Sequence, residues 1–113
     1  MPKFVVLTHD FPSLHWDFML EKEAGLRTWR LAAPPDATGE IAATPLGDHR
    51  LAYLDYEGRV SGNRGCVTRW DRGESVTLLE TAERIEVLLE GSRLKGRAIL
   101  SRVGEAWSFR FTL

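Results

Sequence analysis

The sequence predicts an all-β protein, a small closed or partly open β-barrel of about eight strands with one loop-rich crossing. Apolar residues recur in short runs, several of which alternate apolar with polar positions, as strands with one buried face do. Glycine, proline and asparagine separate these runs at short intervals. Because the chain has 113 residues and shows no internal repeat, we expect a single domain over residues 1–113.

The N-terminal half predicts three strands and then a crossing. Residues 3–8 form a short apolar run, and residues 15–21 alternate between apolar and polar side chains. Gly25 separates this second run from residues 26–31, which indicates a hairpin. The prolines and glycine of residues 34–45 predict a loop-rich crossing with little regular structure.

The C-terminal half predicts five further strands after a glycine-rich loop at residues 58–65. The strands are expected at residues 66–70, 76–80, 84–90, 97–103 and 107–113. In the last of them every second residue from Trp107 to Leu113 is apolar, which is the pattern of a half-buried strand. Residues 75–90 also satisfy a helical i, i+3 spacing, so a helix stays open there as an alternative.

Charge and composition limit the classes of partner. The chain carries 15 basic and 16 acidic residues, a balance that argues against broad, sequence-independent coating of nucleic acid. Arginines are dense between Arg59 and Arg72, so a small local phosphate site fits the composition. Cys66 is the single cysteine, and no apolar stretch is long enough for a signal peptide or a membrane span. We therefore expect a cytoplasmic monomer with no membrane contact.

All three histidines fall in two short polar and aromatic motifs, residues 9–17 and residues 48–53. Histidine titrates near neutral pH and is the commonest metal ligand in proteins. Its concentration beside carboxylates points to a functional site, and scattered surface histidines are the alternative.

Strand geometry brings one histidine and one carboxylate together. In an extended segment His15, Asp17 and Met19 project from one face, so the imidazole and the carboxylate can point at one ion. His9 precedes a proline-containing loop that can fold it back onto the same site. Two imidazoles and one carboxylate form a ligand set for Mn²⁺, Fe²⁺ or Zn²⁺ with open positions for water or substrate oxygen. The alternative is an ordinary hydrogen-bonded pair of His15 and Asp17.

Several motifs occur in this chain in the same order as in one protein family. The N-terminal part resembles the opening of the 3'-phosphoesterase domain of bacterial DNA ligase D and its stand-alone relatives, the DNA polymerase/ligase N-terminal domain family. It carries the pattern Phe4-Val5-Val6-x-x-His9-Asp10-x-x-x-x-His15-Trp16-Asp17-Phe18-x-Leu20-Glu21. Four further matches follow in order: Leu26-x-x-Trp29, Asp48-His49-x-Leu51-x-Tyr53 with Tyr56-Glu57-Gly58, Trp70-Asp71-Arg72-Gly73, and Leu94-Lys95-Gly96-Arg97. Together the matches span almost the whole chain.

The resemblance implies a divergent, stand-alone β-barrel of the phosphoesterase class. Such a barrel would use a divalent metal, typically Mn²⁺ and alternatively Zn²⁺, to remove 3'-phosphate or 3'-ribonucleotide groups from DNA ends during repair. Its partners would be DNA or RNA 3' ends, together with an end-joining ligase or polymerase.

The roles implied by the resemblance fall on two groups of residues. The metal ligands would be His9, His15 and Asp17. His49 would contact the scissile phosphate, and Tyr53 would donate a hydrogen bond close by. A cationic imidazole can neutralise charge that develops as the ester breaks. Asp48 would orient His49 or, alternatively, cap a turn.

Departures from the family pattern concern the phosphate-binding side chains. Met19 stands where the family has an arginine that grips the phosphate, and Ala33 stands where it has a lysine. Polar family residues are also replaced at three positions: Leu7, Thr8 and Gly47. The resemblance therefore implies a preserved metal site with a weakened phosphate grip. Three arginines are candidates to replace the lost cations: Arg50, Arg64 and Arg69.

Three functions stay open on the sequence alone. The first is a metal-dependent 3'-phosphoesterase with full or weakened activity. The second is a barrel that binds metal or nucleic-acid ends without catalysis, which the substitutions Met19 and Ala33 favour. The third is a non-haem iron oxygenase, in which His15 and Asp17 would complete a facial triad with the distant His49.

Overall fold

Strands account for 62% of the chain and helix for 4% in the computed structural model, which describes residues 2–113. The described residues form nine strands and one short 3-10 helix. In chain order these are β1 (Lys3–His9), β2 (His15–Glu21), β3 (Leu26–Leu31), β4 (Ile41–His49), the 3-10 helix (Leu51–Leu54), β5 (Gly58–Arg59), β6 (Cys66–Glu80), β7 (Arg84–Gly91), β8 (Lys95–Val103) and β9 (Ala106–Thr112).

The strands close into an antiparallel barrel. Neighbours follow the order β1, β2, β3, β4, β9, β8, β7, β6, and β6 pairs back with β1, while the two-residue β5 adds to β6. Closure pairs β1 with β6, so neither of these two strands is left as the outer edge of an open sheet. The predicted all-β barrel of about eight strands is confirmed.

Aromatic side chains fill the barrel interior. Phe18 lies at their centre, with ring centroids 5.1 Å from Phe109, 6.2 Å from Phe4 and 6.5 Å from Trp29. Trp107 closes on Trp29 in an edge contact at 5.7 Å. Tilted and edge-on aromatic pairs of this kind add to the free energy gained by burying their area.

A second apolar cluster covers the outside of β1 and β2. Val5, Leu7 and Met19 face away from the barrel interior and pack under Leu54 of the 3-10 helix and Val60 of the following loop. The cluster also contains two further side chains, Leu26 and Val67. The segment between β4 and β6 therefore forms a second layer, and this layer explains why β1 is apolar on both faces.

Two predicted boundaries in the sheet are wrong. The crossing at residues 34–45 ends sooner than expected, because β4 starts at Ile41 and runs through Pro45. β9 pairs with β4 only at Ile41–Ala43, so the strand beyond has a free edge on which a proline costs no ladder hydrogen bond. The predicted strands 66–70 and 76–80 are one continuous strand, β6.

The helical alternative for residues 75–90 is also wrong, because β6 and β7 form an antiparallel hairpin there. Gly73 permits it, since a side chain at this position would collide with the carbonyl of Glu90. Of the apolar face expected for the last strand, Trp107 is buried, but Leu113 follows the end of β9 and is fully exposed.

The two C-terminal family motifs meet at one buried carboxylate. Asp71 is 3% exposed and accepts backbone N–H hydrogen bonds from Ser92 (2.8 Å), Arg93 (3.2 Å) and Leu94 (2.8 Å). Position 91 requires glycine, because a Cβ there would collide with the Asp71 carboxylate. These motifs therefore fix the β7–β8 turn onto β6 and are part of the scaffold. Within residues 2–113, no helix has the length and apolar character needed to cross a membrane.

Candidate metal centre

Three side chains with metal-binding atoms meet where β1 ends and β2 begins. His9 and His15 are direct cross-strand partners, and their ring centroids lie 4.8 Å apart. Asp17 lies two residues further along β2 on the same outward face, as the strand period predicts. Each residue offers one atom that could bind a metal, and these three atoms lie within 4.8 Å of one another.

His15 is held with one ring nitrogen directed into the cluster. Its Nδ1 lies 2.8 Å from the carbonyl oxygen of Ser13, an acceptor, so Nδ1 carries the proton and donates it. Nε2 then carries the lone pair and faces Asp17 Oδ1 at 3.3 Å. A backbone carbonyl that fixes the tautomer in this way is typical of histidines that bind metals.

His9 is held in the same manner by the loop before β6. Its Nε2 lies 2.8 Å from the carbonyl oxygen of Arg64, which leaves Nδ1 facing Asp17 Oδ2 at 3.7 Å. The loop is fixed in turn, because Asp10 accepts the backbone N–H of Cys66 at 2.8 Å. The position of His9 therefore depends on a loop more than fifty residues away in the chain.

The cluster presents acceptors only, and this favours a cation between them. His15 Nε2 and Asp17 Oδ1 are both buried and have no hydrogen-bond partner among residues 2–113. Buried acceptors without partners are costly, and a carboxylate facing two lone pairs is repelled by them. Separations of 3.3 and 3.7 Å suit ligands that each lie about 2.1 Å from one ion. Two imidazoles and one carboxylate suit Mn²⁺ and Zn²⁺.

A cavity of about 680 Å³ opens beside this cluster. This volume lies in the range of small-molecule sites. His9 and Asp17 line this cavity together with His49 and Tyr53. Phe11, a residue that is 41% exposed, also lines the cavity. A ligand in the cavity would therefore touch both histidine motifs of the sequence.

His49 reaches this cavity from the end of β4. Its Nδ1 lies 3.1 Å from the carbonyl oxygen of Gly47, so Nδ1 donates there and Nε2 is the nitrogen left for a ligand. The ring packs edge-on against Tyr53 at 5.8 Å. Asp48 also lines the cavity but forms no hydrogen bond with His49 among the described residues. The expected orienting role of Asp48 is thus filled by a backbone carbonyl.

The candidate phosphate-binding arginines separate into two places. Arg50 and Arg64 line the cavity, whereas Arg69 lies by a different depression with Arg72 and Arg93. Arg64 is tied to its own loop through a 2.7 Å hydrogen bond from Nε to the Ser61 carbonyl. The role of Arg69 stays a prediction from the sequence.

Sequence reasoning missed Arg30, which also lines the cavity. Arg30 lies on β3 directly opposite Asp17. The predicted hairpin of β2 and β3 could have revealed its position. The turn pairs Lys22 with Gly25, and counting outward from that pair places residue 30 opposite residue 17. The non-haem iron alternative needed His49 as the second histidine, whereas the described cluster contains His9 in that role.

Comparisons with known proteins agree with the motifs. Residues 7–102 match the family described as the DNA Ligase D 3'-phosphoesterase domain. The multifunctional non-homologous end joining protein LigD of Pseudomonas aeruginosa is 34% identical, over 88% of this chain and 13% of that protein. Its namesake from Mycobacterium bovis is 34% identical over 92% of this chain and 15% of that protein. The chain thus spans about one seventh of these relatives' length. The match over most of the chain shows that it belongs to the DNA ligase D 3'-phosphoesterase domain family.

Proposed function

We propose that this chain is a divalent-metal-dependent phosphoesterase that removes 3'-phosphate or 3'-ribonucleotide groups from nucleic-acid ends in DNA end repair. Mn²⁺ is the proposed metal, with Zn²⁺ as the alternative, and the partners are DNA or RNA 3' ends in an end-joining ligase or polymerase context. The observation that carries the proposal is the buried, acceptor-only cluster of His9, His15 and Asp17 beside a cavity lined by His49.

The division of labour follows from where each side chain lies. A divalent ion bound by the three ligands would polarise a phosphoryl oxygen and lower the pKa of water. In its protonated, imidazolium form His49 would donate from Nε2 to a phosphate oxygen or give that proton to the leaving oxygen, since its Nδ1–H is engaged with the Gly47 carbonyl. Tyr53 packs against His49 and offers a hydroxyl donor on the same side. Arg50 and Arg64 supply positive charge at the cavity wall.

Cleavage of defined 3' ends tests the proposal. Primer duplexes ending in a 3'-phosphate, a 3'-ribonucleotide or a plain 3'-hydroxyl are incubated with the protein in Mn²⁺, in Zn²⁺ and in EDTA. We expect the first two to be trimmed only with metal and the third to stay intact. Asp17→Asn should abolish trimming, whereas Asp36→Asn, the same change on an exposed loop, should leave it unchanged. Metal binding without trimming of either end would favour the binding-only barrel.

A further inference from the structure

Arg30 is a further cation that lines the candidate site. It is partly buried on β3 and shares the outward face with its cross-strand neighbour Asp17. Its Nε is buried and forms no hydrogen bond with any of the described residues. Within residues 2–113 its guanidinium makes no ion pair with an acidic side chain.

The absence of a bond to Asp17 is informative because the two residues are direct neighbours. Both Asp17 oxygens are turned toward the imidazoles of His9 and His15. The guanidinium of Arg30 is thus left facing the cavity. A partly buried arginine whose Nε–H is buried and unpaired is suited to bind an anion, because its planar fork fits two oxygens of a phosphate.

The place of Arg30 also fits the other groups around the cavity. The metal ligands form one part of the wall, and His49 forms another. A phosphate that touches both would lie in the cavity that Arg30 also lines, and Arg30 is the cross-strand partner of Asp17. Arg30 is a diagonal neighbour of Met19, because Met19 pairs with Thr28 while Asp17 pairs with Arg30. Diagonal neighbours lie about 7–8 Å apart, within the reach of an arginine side chain.

We propose that Arg30 grips the phosphate of the bound nucleic-acid 3' end with two N–H donors, and so replaces from β3 the cation that Met19 lacks on β2. Identification of the ligand as a 3'-terminal phosphate rests on the proposed function. The binding of an inorganic phosphate ion by Arg30 does not rest on it.

Phosphate and metal binding are measured separately to test this assignment. Inorganic phosphate is titrated by calorimetry into wild-type protein, Arg30→Met and Arg30→Lys, each loaded with Mn²⁺, and Mn²⁺ is titrated into the metal-free proteins. We expect Arg30→Met to bind phosphate about 10- to 100-fold more weakly, and Arg30→Lys to lie between it and wild type, because one or two charge-assisted hydrogen bonds are lost. Arg110→Met, on the exposed face of β9, is the matched control.

The outcomes separate this inference from the proposed function. Unchanged phosphate affinity in Arg30→Met overturns the inference. Loss of Mn²⁺ binding in Arg30→Met overturns it as well, because Arg30 would then position Asp17. Phosphate binding that depends on Arg30, in a protein that trims no 3' end, upholds the inference and refutes the proposed function.

Discussion

Replacing Asp17 by asparagine should stabilise the metal-free protein while removing its response to metal. In the metal-free state Asp17 Oδ1 faces His15 Nε2 at 3.3 Å, and both are buried acceptors without a hydrogen-bond partner in the described part of the chain. Asp17→Asn can turn an amide N–H toward that nitrogen, which makes one hydrogen bond and removes a buried charge. A buried acceptor left unsatisfied costs about 1–3 kcal/mol, so we expect a gain of about 1–2 kcal/mol in the free energy of unfolding.

Thermal unfolding at pH 8, where an ordinary histidine is neutral, measures both effects. The gain corresponds to a midpoint about 3–10 °C higher for a domain of this size. Mn²⁺ at 100 times its dissociation constant should stabilise wild type by about 2.7 kcal/mol and Asp17→Asn by nothing measurable. Asp36→Asn, on an exposed loop, should behave as wild type in both assays.

Two results would refute this reasoning. A less stable metal-free Asp17→Asn would mean that the histidines donate to the carboxylate in the absence of metal, and that the acceptor-only description is wrong. An undiminished Mn²⁺ response in the variant would remove Asp17 from the ligand set.

Further predictions test the phosphate side of the cavity, the loop that holds His9, and the scaffold. His49→Ala should leave Mn²⁺ affinity unchanged and slow trimming of a 3'-phosphorylated primer by about 10²- to 10⁴-fold, in single-turnover assays; loss of Mn²⁺ binding would make His49 a ligand. Gly65→Ala should weaken Mn²⁺ binding and lower the free energy of unfolding by about 1–3 kcal/mol, because the backbone is left-handed (φ +75°) and a Cβ would meet the Asp10 carboxylate. Gly39→Ala, also left-handed (φ +83°) but in open space, should share the backbone cost without the metal effect, and equal Mn²⁺ affinities for the two variants would contradict the loop's role. Asp71→Ala should lower the free energy of unfolding by about 3–5 kcal/mol in urea titrations, since three backbone donors lose a charged acceptor, and a loss below 1 kcal/mol would contradict that role.

Local patterns predicted most of the strands because a strand with one buried face carries its period in its own residues. β2 and β3 begin and end where the alternation and Gly25 indicate. The errors occur where distant contacts decide. β4 continues through Pro45 because its neighbour β9 stops pairing at Ala43, and the joining of two short runs into β6 depends on the approach of β7 at Gly73. Both the extent of the β4–β9 pairing and the approach of β7 to Gly73 depend on residues far away in the chain, so the local sequence could not predict them.

The cluster of His9, His15 and Asp17 was predictable for the same reason, whereas the cations around the cavity were not. His15 and Asp17 share a face by the strand period alone, and a cross-strand register of β1 with β2 brings His9 to them. The histidines are oriented by backbone carbonyls, those of Gly47, Ser13 and Arg64. Every residue type has such a carbonyl, so the sequence could not predict which ones would accept these hydrogen bonds. Arg30 was missed because motif comparison follows positions along one chain, whereas a cation can reach a cavity from the neighbouring strand.

The presence of methionine at position 19 therefore does not by itself imply that phosphate binds weakly. Met19 is 1% exposed and packs with Val5 and Leu7 in the outer cluster. Met19→Arg in the presence of Arg30 would remove that packing and crowd two guanidinium groups into one corner, so we expect lower stability and no gain in phosphate affinity. When position 30 is vacated as well, in the double variant Met19→Arg with Arg30→Met, a guanidinium from β2 has the room that Arg30 now takes. We expect the double variant to recover, in calorimetric titration, part of the phosphate affinity that Arg30→Met loses. Equal affinities of the single and double variants would show that the two positions do not serve the same phosphate.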